Sequence, residues 1–381
     1  MRRTREQTVV VGAGAVGSAT AYQLAKRGVP VLLLEQYALG HDRGSSHGAA
    51  RITRHSYADP TYAFAMPDAF QAWRELEADA AQPLYIRTGV VSFCPKTDGY
   101  VDAICANLAM IDVTHARIDG ARWNAQNPLF NLPDDYQVVF EPDAGLLLAS
   151  RALQAMQTLA AEGGARILPH TRVEQIRAAA GGVELECRSH AGDAWVIEAD
   201  RVVVAAGGWI GSLLPDWSAH LIPTLQHVFY LEPVSNGQSS IGQLPAFIFH
   251  SPDAVYYGMP DMPGSGVKAA RDGGPPLHPE AQRITAGDDL AGLRDFLEKH
   301  IAGLANQSVI SEETCIYTMQ RDLQFVVGAL PGSSNLFIAS PCSGHGFKFC
   351  CLVGKVVARL LCDQTPIPNG WLSPSNALAK P

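Results

Sequence analysis

The chain has 381 residues, 47% hydrophobic and 17% charged, with 29 Lys+Arg against 37 Asp+Glu for a net charge of −8. At roughly 150 residues per domain, this predicts two to three domains with a large core, and it excludes a disordered chain or one with a broad basic face for nucleic acid. Eight cysteines, none spaced Cys-x-x-Cys, are too few for a disulfide scaffold and form no zinc ribbon or other expected metal site; with no apolar run of membrane-helix length, they predict reduced thiols in a cytoplasmic protein.

In chain order, Val9–Val11 read as a buried strand, Ser18–Arg27 as a helix closed by Gly28, and Val31–Leu34 as a second buried strand ending in Glu35. Together they form a βαβ unit. Residues 62–79 carry Phe64, Phe70, Trp73 and Leu76 at helical spacing. Residues 86–144 look strand-and-loop-like, with prolines at 95, 128, 133 and 142. A helix is predicted over 151–162 and a buried strand over 201–209, ending in Gly207 and Gly208. Short strands and Gly/Pro loops fill 221–285. An amphipathic helix follows over 289–302, a strand over 337–340 and a last helix over 346–361. No repeat of 20–50 residues interrupts this order. Buried-strand signals at both ends and near 200 predict one nucleotide-binding domain from 1–85, 145–220 and 310–381. A second, substrate domain is predicted from 86–144 and 221–309.

Gly12-x-Gly14-x-x-Gly17 lies between strand and helix, as a dinucleotide fingerprint requires. The first glycine permits the tight turn, the second admits the pyrophosphate, and the third lets helix and strand pack closely. The helix N-terminus favours phosphate, and Glu35, about 20 residues on, suits a ribose hydroxyl. This pattern fits FAD or NAD. The second glycine turn, Gly207-Gly208-Trp209, favours FAD, although a plain strand-to-loop turn reads the same way.

Three further segments carry a specific resemblance. Gly44-Ser-Ser-His-Gly-Ala-Ala-Arg-Ile-Thr-Arg-His-Ser-Tyr57 is similar to the flavin-contacting loop of the monomeric sarcosine oxidase and N-methyltryptophan oxidase family. Glu313-Thr-Cys-Ile-Tyr-Thr318 resembles its site of covalent flavin attachment. Ser343-Gly-His-Gly-Phe-Lys348 resembles its active-site lysine motif. Order and spacing agree over essentially the whole chain. The resemblance implies a Rossmann-like α/β domain binding FAD, with an inserted α+β, mixed-sheet substrate domain, in a monomeric enzyme.

The residue roles that follow are implied by that resemblance. Cys315 carries a thioether to the flavin; a small buried cysteine is the alternative. Arg54 and Lys348 clamp a substrate carboxylate, where the planar fork of Arg and the point charge of Lys complement each other. Lys268 promotes reaction with O2 by placing a cation where negative charge develops; an exposed loop lysine is the alternative. Arg51 lies over the flavin with His47 nearby. Tyr317 and Tyr257 wall the amine end, Tyr257 being chosen over Tyr256 by its distance from Lys268. The turn Gly344-His345-Gly346 aims a helix N-terminus at the flavin. Val16, Ser46, Val173, Gly207 and Trp209 complete the cofactor contacts.

Two departures stand out. Ala49-Ala50 occupies positions where the family often has polar residues, so one flavin hydrogen bond is expected to be lost. Asp272 stands where sarcosine oxidases have a histidine, which leaves the amine open. The expected activity is oxidation of a small secondary amine bearing a carboxylate, an N-methyl or cyclic imino acid, with O2 reduced to H2O2. A dehydrogenase using another acceptor, a biosynthetic oxidase of a cyclic imine, and a non-catalytic flavoprotein are the alternatives.

Overall fold

The computed structural model describes residues 2–179, 181–283 and 287–379. The apolar valines of strand Arg2–Val11 are fully covered because strands pair with them on both sides: Val9 lies opposite Leu32 of Val31–Leu34 and Val202 of Ala194–Val204, all parallel. Arg166–Leu168 extends the sheet beyond Val31–Leu34, and Leu336–Ser340 joins Ala194–Val204 in parallel. The segments from both ends of the chain and from near residue 200 thus form one sheet. A hairpin, Thr171–Ala179 with Gly182–Ser189, continues it antiparallel.

Helices Ala15–Lys26, Ala149–Glu162 and Cys350–Asp363 cover one face. The first and last approach closely: a Cβ at Gly354 would lie 2.6 Å from the Ala19 carbonyl oxygen.

The second large sheet runs in the order Val309–Met319, Ile222–Leu231, Gly266–Asp272, Val255–Met262, Ala246–His250, Val90–Pro95, Tyr136–Glu141, Ala116–Asp119. It is mixed: the Ala246–His250 and Val90–Pro95 pair is parallel, and the rest antiparallel. Phe229, Phe247 and Phe249 on one face pack against Leu293, Phe296 and Leu297 of helix Gly287–His300. A small third sheet, Ala50–Thr53, Gly145–Leu148 and Tyr85–Arg87, joins the flavin-loop segment to the rest.

Three details differ from the sequence reading. Residues 86–144 contain helices Tyr100–Met110 and Gly120–Gln126 as well as strands; the flanking prolines obscure a proline-free stretch that buries Val101, Ile104 and Leu108. Strand Val309–Met319, grouped above with the nucleotide-binding stretches, hydrogen-bonds along its length to Ile222–Leu231 in the second sheet. The last helix begins at Cys350, after a 3-10 turn over Phe347–Phe349.

Because the atom facing Gly354 is backbone, Gly354→Ala must push two helices apart. It is expected to lower unfolding stability by about 1–3 kcal/mol, read by denaturant titration; an unchanged midpoint would mean that the helices yield freely.

Candidate functional site

A cleft opens along the ends of the first sheet's parallel strands. Gly12 has φ +100, and a Cβ there would stand 2.7 Å from the Ala205 carbonyl oxygen, so the turn and the approach to strand Ala194–Val204 both require glycine. Gly17 lies beneath, against the Gly12 carbonyl. Ser46 Oγ accepts from the Ala15 amide at 2.9 Å, at the N-terminus of the first helix. Glu35 is buried and accepts from the amides of Ala13 and Tyr37, each at 2.9 Å. Burial pushes its carboxyl up, but the His41 ring and these amides outweigh that and hold it below its ordinary value.

Gly12, Gly14, Val16, Glu35, Ser46, Arg51, Val173, Gly207 and Trp209 line this one cleft, which ends at Tyr317, Gly344 and Gly346. The indole nitrogen of Trp209 is buried there without a hydrogen-bond partner among the described residues. A glycine-lined channel that runs from an acid at one end to a helix start and an aromatic wall at the other suits an extended dinucleotide.

Arg51 is held by carbonyls of its own loop: Nη2 donates to Ser45 at 2.8 Å and His47 at 2.7 Å, and Nη1 to Ala50 at 2.9 Å. Ala50 therefore contributes a backbone carbonyl at a position where the family often has a polar side chain. The His47 ring lines a separate recess beside Ser150 and Gln157, and burial together with the Arg51 charge pushes it down to about 4, so it is neutral.

The remaining side chains come from one face of the second sheet. Cross-strand partners share a face, and the register places Cys315 opposite Gln226, Tyr317 opposite Thr224, Lys268 opposite Tyr230 and Met259, and Tyr257 opposite Ala270. The hydroxyls of Tyr257 and Tyr317 are 3.4 Å apart. Tyr256 faces the other way and stacks on Phe296, with centroids 4.3 Å apart. Lys268 is buried, its Nζ 5.9 Å from the Tyr230 ring centre, and burial with the nearby Arg51 charge pushes it down to about 7. Burial raises the Cys315 thiol, while Arg51, Lys268 and Arg283 pull it back.

Arg54 and Lys348 meet around Tyr57. The Arg54 guanidinium is 4.3 Å from the centre of the Tyr57 ring, and its Nε and Nη1 are buried without hydrogen-bond partners among the described residues. Lys348 Nζ donates to Tyr57 Oη at 2.9 Å and to the His345 carbonyl at 3.2 Å, which leaves its third proton free for a ligand. His345 is turned into an aromatic cluster with Tyr62 and Phe325; burial and the Lys348 charge push it down to about 3, so it stays neutral.

Glu141, which the sequence reading did not single out, fixes the turn beside Arg54. Its carboxylate accepts from the amides of His55 at 3.0 Å and Ser56 at 3.1 Å and lies 2.6 Å from His55 Nδ1. The only sequence signal is an acid ending an apolar strand; its partners are far away along the chain.

Residues 7–360 match the family described as DAO, FAD dependent oxidoreductase. The chain belongs to this family. The FAD-dependent oxidoreductase is 33% identical to the monomeric sarcosine oxidase of Bacillus sp. (strain B-0618) over 365 residues, covering 94% of this chain and 92% of that protein. It is 29% identical to the N-methyl-L-tryptophan oxidase of Yersinia pestis (strain Pestoides F), covering 94% and 95%. Among solved structures, NikD, an amino acid oxidase essential for nikkomycin biosynthesis, superposes with a TM-score of 0.80 at 25% identity, covering 95% of each chain.

Replacing Glu35 with Ala removes a carboxylate stabilised in its charged form. Its contribution to stability is full above about pH 4.5, the ordinary carboxyl value, and is lost as pH falls through the depressed folded value. Glu35→Ala is therefore expected to lower the melting temperature at pH 7, and by progressively less toward pH 3. A constant difference across that range would sink this account of Glu35.

Proposed function

We infer that this protein oxidises a secondary amine that carries a carboxylate, an N-methyl or cyclic imino acid, to the imine, with O2 reduced to hydrogen peroxide. The observation that carries the reading is the buried Arg54 guanidinium with unpartnered nitrogens among the described residues, next to Lys348. Burial and the Arg54 charge push the Lys348 ammonium well below its ordinary value, and a bound anion restores it to the charged form. A buried cation without hydrogen-bond partners is costly unless a ligand completes it, and a carboxylate matches the fork of Arg and the point charge of Lys. The two clamp the carboxylate and so fix the reacting carbon, which makes their contribution as much one of positioning as of affinity.

FAD, held along the Gly12–Gly17 turn, Glu35 and Ser46, would supply the hydride acceptor and the redox link to oxygen. The chain's own groups do the rest. Tyr257 and Tyr317 wall the amine end and exclude water. Lys268 offers positive charge where oxygen becomes negative. Cys315 would hold the flavin through a thioether; burial raises its thiol, and the cations Arg51, Lys268 and Arg283 offset part of that rise toward the thiolate such chemistry needs. The eight free thiols support a reducing, cytoplasmic setting, and the relatives called monomeric support a single-chain enzyme.

The enzyme precipitated in acid is expected to keep its yellow colour and 450 nm absorbance, and Cys315→Ala to release it; free flavin from the wild type refutes the link. An anaerobic screen over sarcosine, pipecolate, proline and N-methyl amino acids should bleach the flavin with at least one amine, and admitting air should yield peroxide. Bleaching without peroxide would point to a dehydrogenase using another acceptor.

Lys268→Met is expected to slow reoxidation by O2 about a hundredfold while changing anaerobic bleaching far less. Because Lys268 loses its proton above about 7, wild-type reoxidation should decline as pH rises through that value. Equal slowing of both half-reactions would remove this role.

A further inference from the structure

Lys348, which feels the charge of Arg54, has one acid within electrostatic reach among the described residues, Asp272. Asp272 is the last residue of strand Gly266–Asp272, and the two-residue period puts it on the face of Lys268 and Ala270. Its carboxylate reaches across to the turn before the last helix: a Cβ at Gly344 would lie 3.3 Å from Asp272 Oδ1 and 2.7 Å from Tyr317 Cε2. The charged and titratable groups facing it are Lys348, from beyond that turn, and the hydroxyls of Tyr317, Tyr257 and Tyr57, each from a different segment. Arg54 acts on Lys348 through its charge.

Among the described residues Asp272 makes no hydrogen bond and no ion pair. Lys348 is its nearest source of positive charge, yet it already gives two protons to Tyr57 and the His345 carbonyl. An acid left without a partner among the described residues, against the cleft-lining Gly344 and near Tyr317, lacks a cationic hydrogen-bond donor. A zwitterionic amino acid supplies one: its carboxylate meets Arg54 and Lys348, and its ammonium meets Asp272.

We propose that Asp272 is the counter-charge and proton acceptor for the substrate nitrogen, so that the enzyme selects secondary amino acids in their zwitterionic form. The N–H bond breaks, an O–H bond forms on Asp272, and the electron pair stays on nitrogen. The amine left behind is neutral, the form from which hydride is lost. The assignment rests on the carboxylate-bearing amine reading above and adds to it the ionic form bound and the base. Burial pushes Asp272 up to about 6 against the Lys348 charge, so it is ionised at neutral pH and still able to take a proton.

N,N-dimethylglycine and (methylthio)acetate share a carboxylate and nearly a shape, but only the first has a cationic centre. In calorimetric titration of the holoenzyme at pH 7.5, a pH chosen above the Asp272 value of about 6, Asp272→Asn is expected to weaken dimethylglycine about 10- to 100-fold and (methylthio)acetate less than about twofold. Asp272→Glu, which keeps the charge, should retain the preference if Asp272→Asn folds poorly. Wild-type affinity for dimethylglycine should fall as pH drops through about 6, and Asp272→Asn should lose that dependence. Equal weakening of both acids, or none for dimethylglycine, overturns the proposal. So does a wild-type enzyme that amines bleach but that binds neither acid. If no amine bleaches the flavin and neither acid binds, the functional reading beneath it has failed instead.

Discussion

Three cations, Arg54, Lys268 and Lys348, lie in the interior with little carboxylate to neutralise them, each at most 8% exposed. Burying charge this way is unfavourable, and much of the surrounding structure keeps it tolerable. Tyr57 serves two of them at once, its ring against Arg54 and its hydroxyl on the Lys348 ammonium. The Tyr230 ring lies near Lys268 and gives its own proton to Glu313 at 2.9 Å. None of these contacts is a close ion pair. Aromatic faces, hydroxyls and carbonyls moderate a charge without cancelling it, so the positive potential survives for an anion to meet.

The second sheet keeps its two jobs apart by strand alternation alone. One face carries Phe229, Phe247, Phe249 and Tyr256 into an aromatic layer under helix Gly287–His300. The other carries Cys315, Tyr317, Tyr257, Lys268 and Asp272, of which Tyr317 lines the cleft. A register slip of one residue would exchange the two sets. The stacked Tyr256 and Phe296 rings therefore help to keep Tyr257 on the side where it meets Tyr317.

How much of this the sequence discloses depends on how local each feature is. The βαβ unit and its glycines are legible because strand, turn, helix and acid follow one another within about 30 residues. The Tyr256–Tyr257 pair shows the limit: alternation says that the two face opposite ways, and only the packed helix says which faces in. Glu141 and His55 are invisible as partners because they meet through the small third sheet, which joins Ala50–Thr53 to Gly145–Leu148. The strand around Cys315 reads as part of the nucleotide-binding stretches by its motif and chain position, but its hydrogen bonds belong to the other sheet. Helix Tyr100–Met110 was hidden by prolines on either side of it.

The way the first sheet is assembled also governs when the cofactor site can come into being. Its central strands arrive within the first 34 residues, but Ala194–Val204 must insert beside Arg2–Val11, and Leu336–Ser340 must then dock on its far edge. The first helix is likewise covered by Ala149–Glu162 and, last, by Cys350–Asp363. Contacts of such long range are slow to form. During synthesis, the nascent N-terminal unit leaves the ribosome with the Val9 and Val11 face of its apolar strand still lacking most of its partners, which come from Val173 onward. Segments from early and late in the sequence close the same core, so a product truncated before Leu336–Ser340 lacks a strand of the nucleotide-binding sheet.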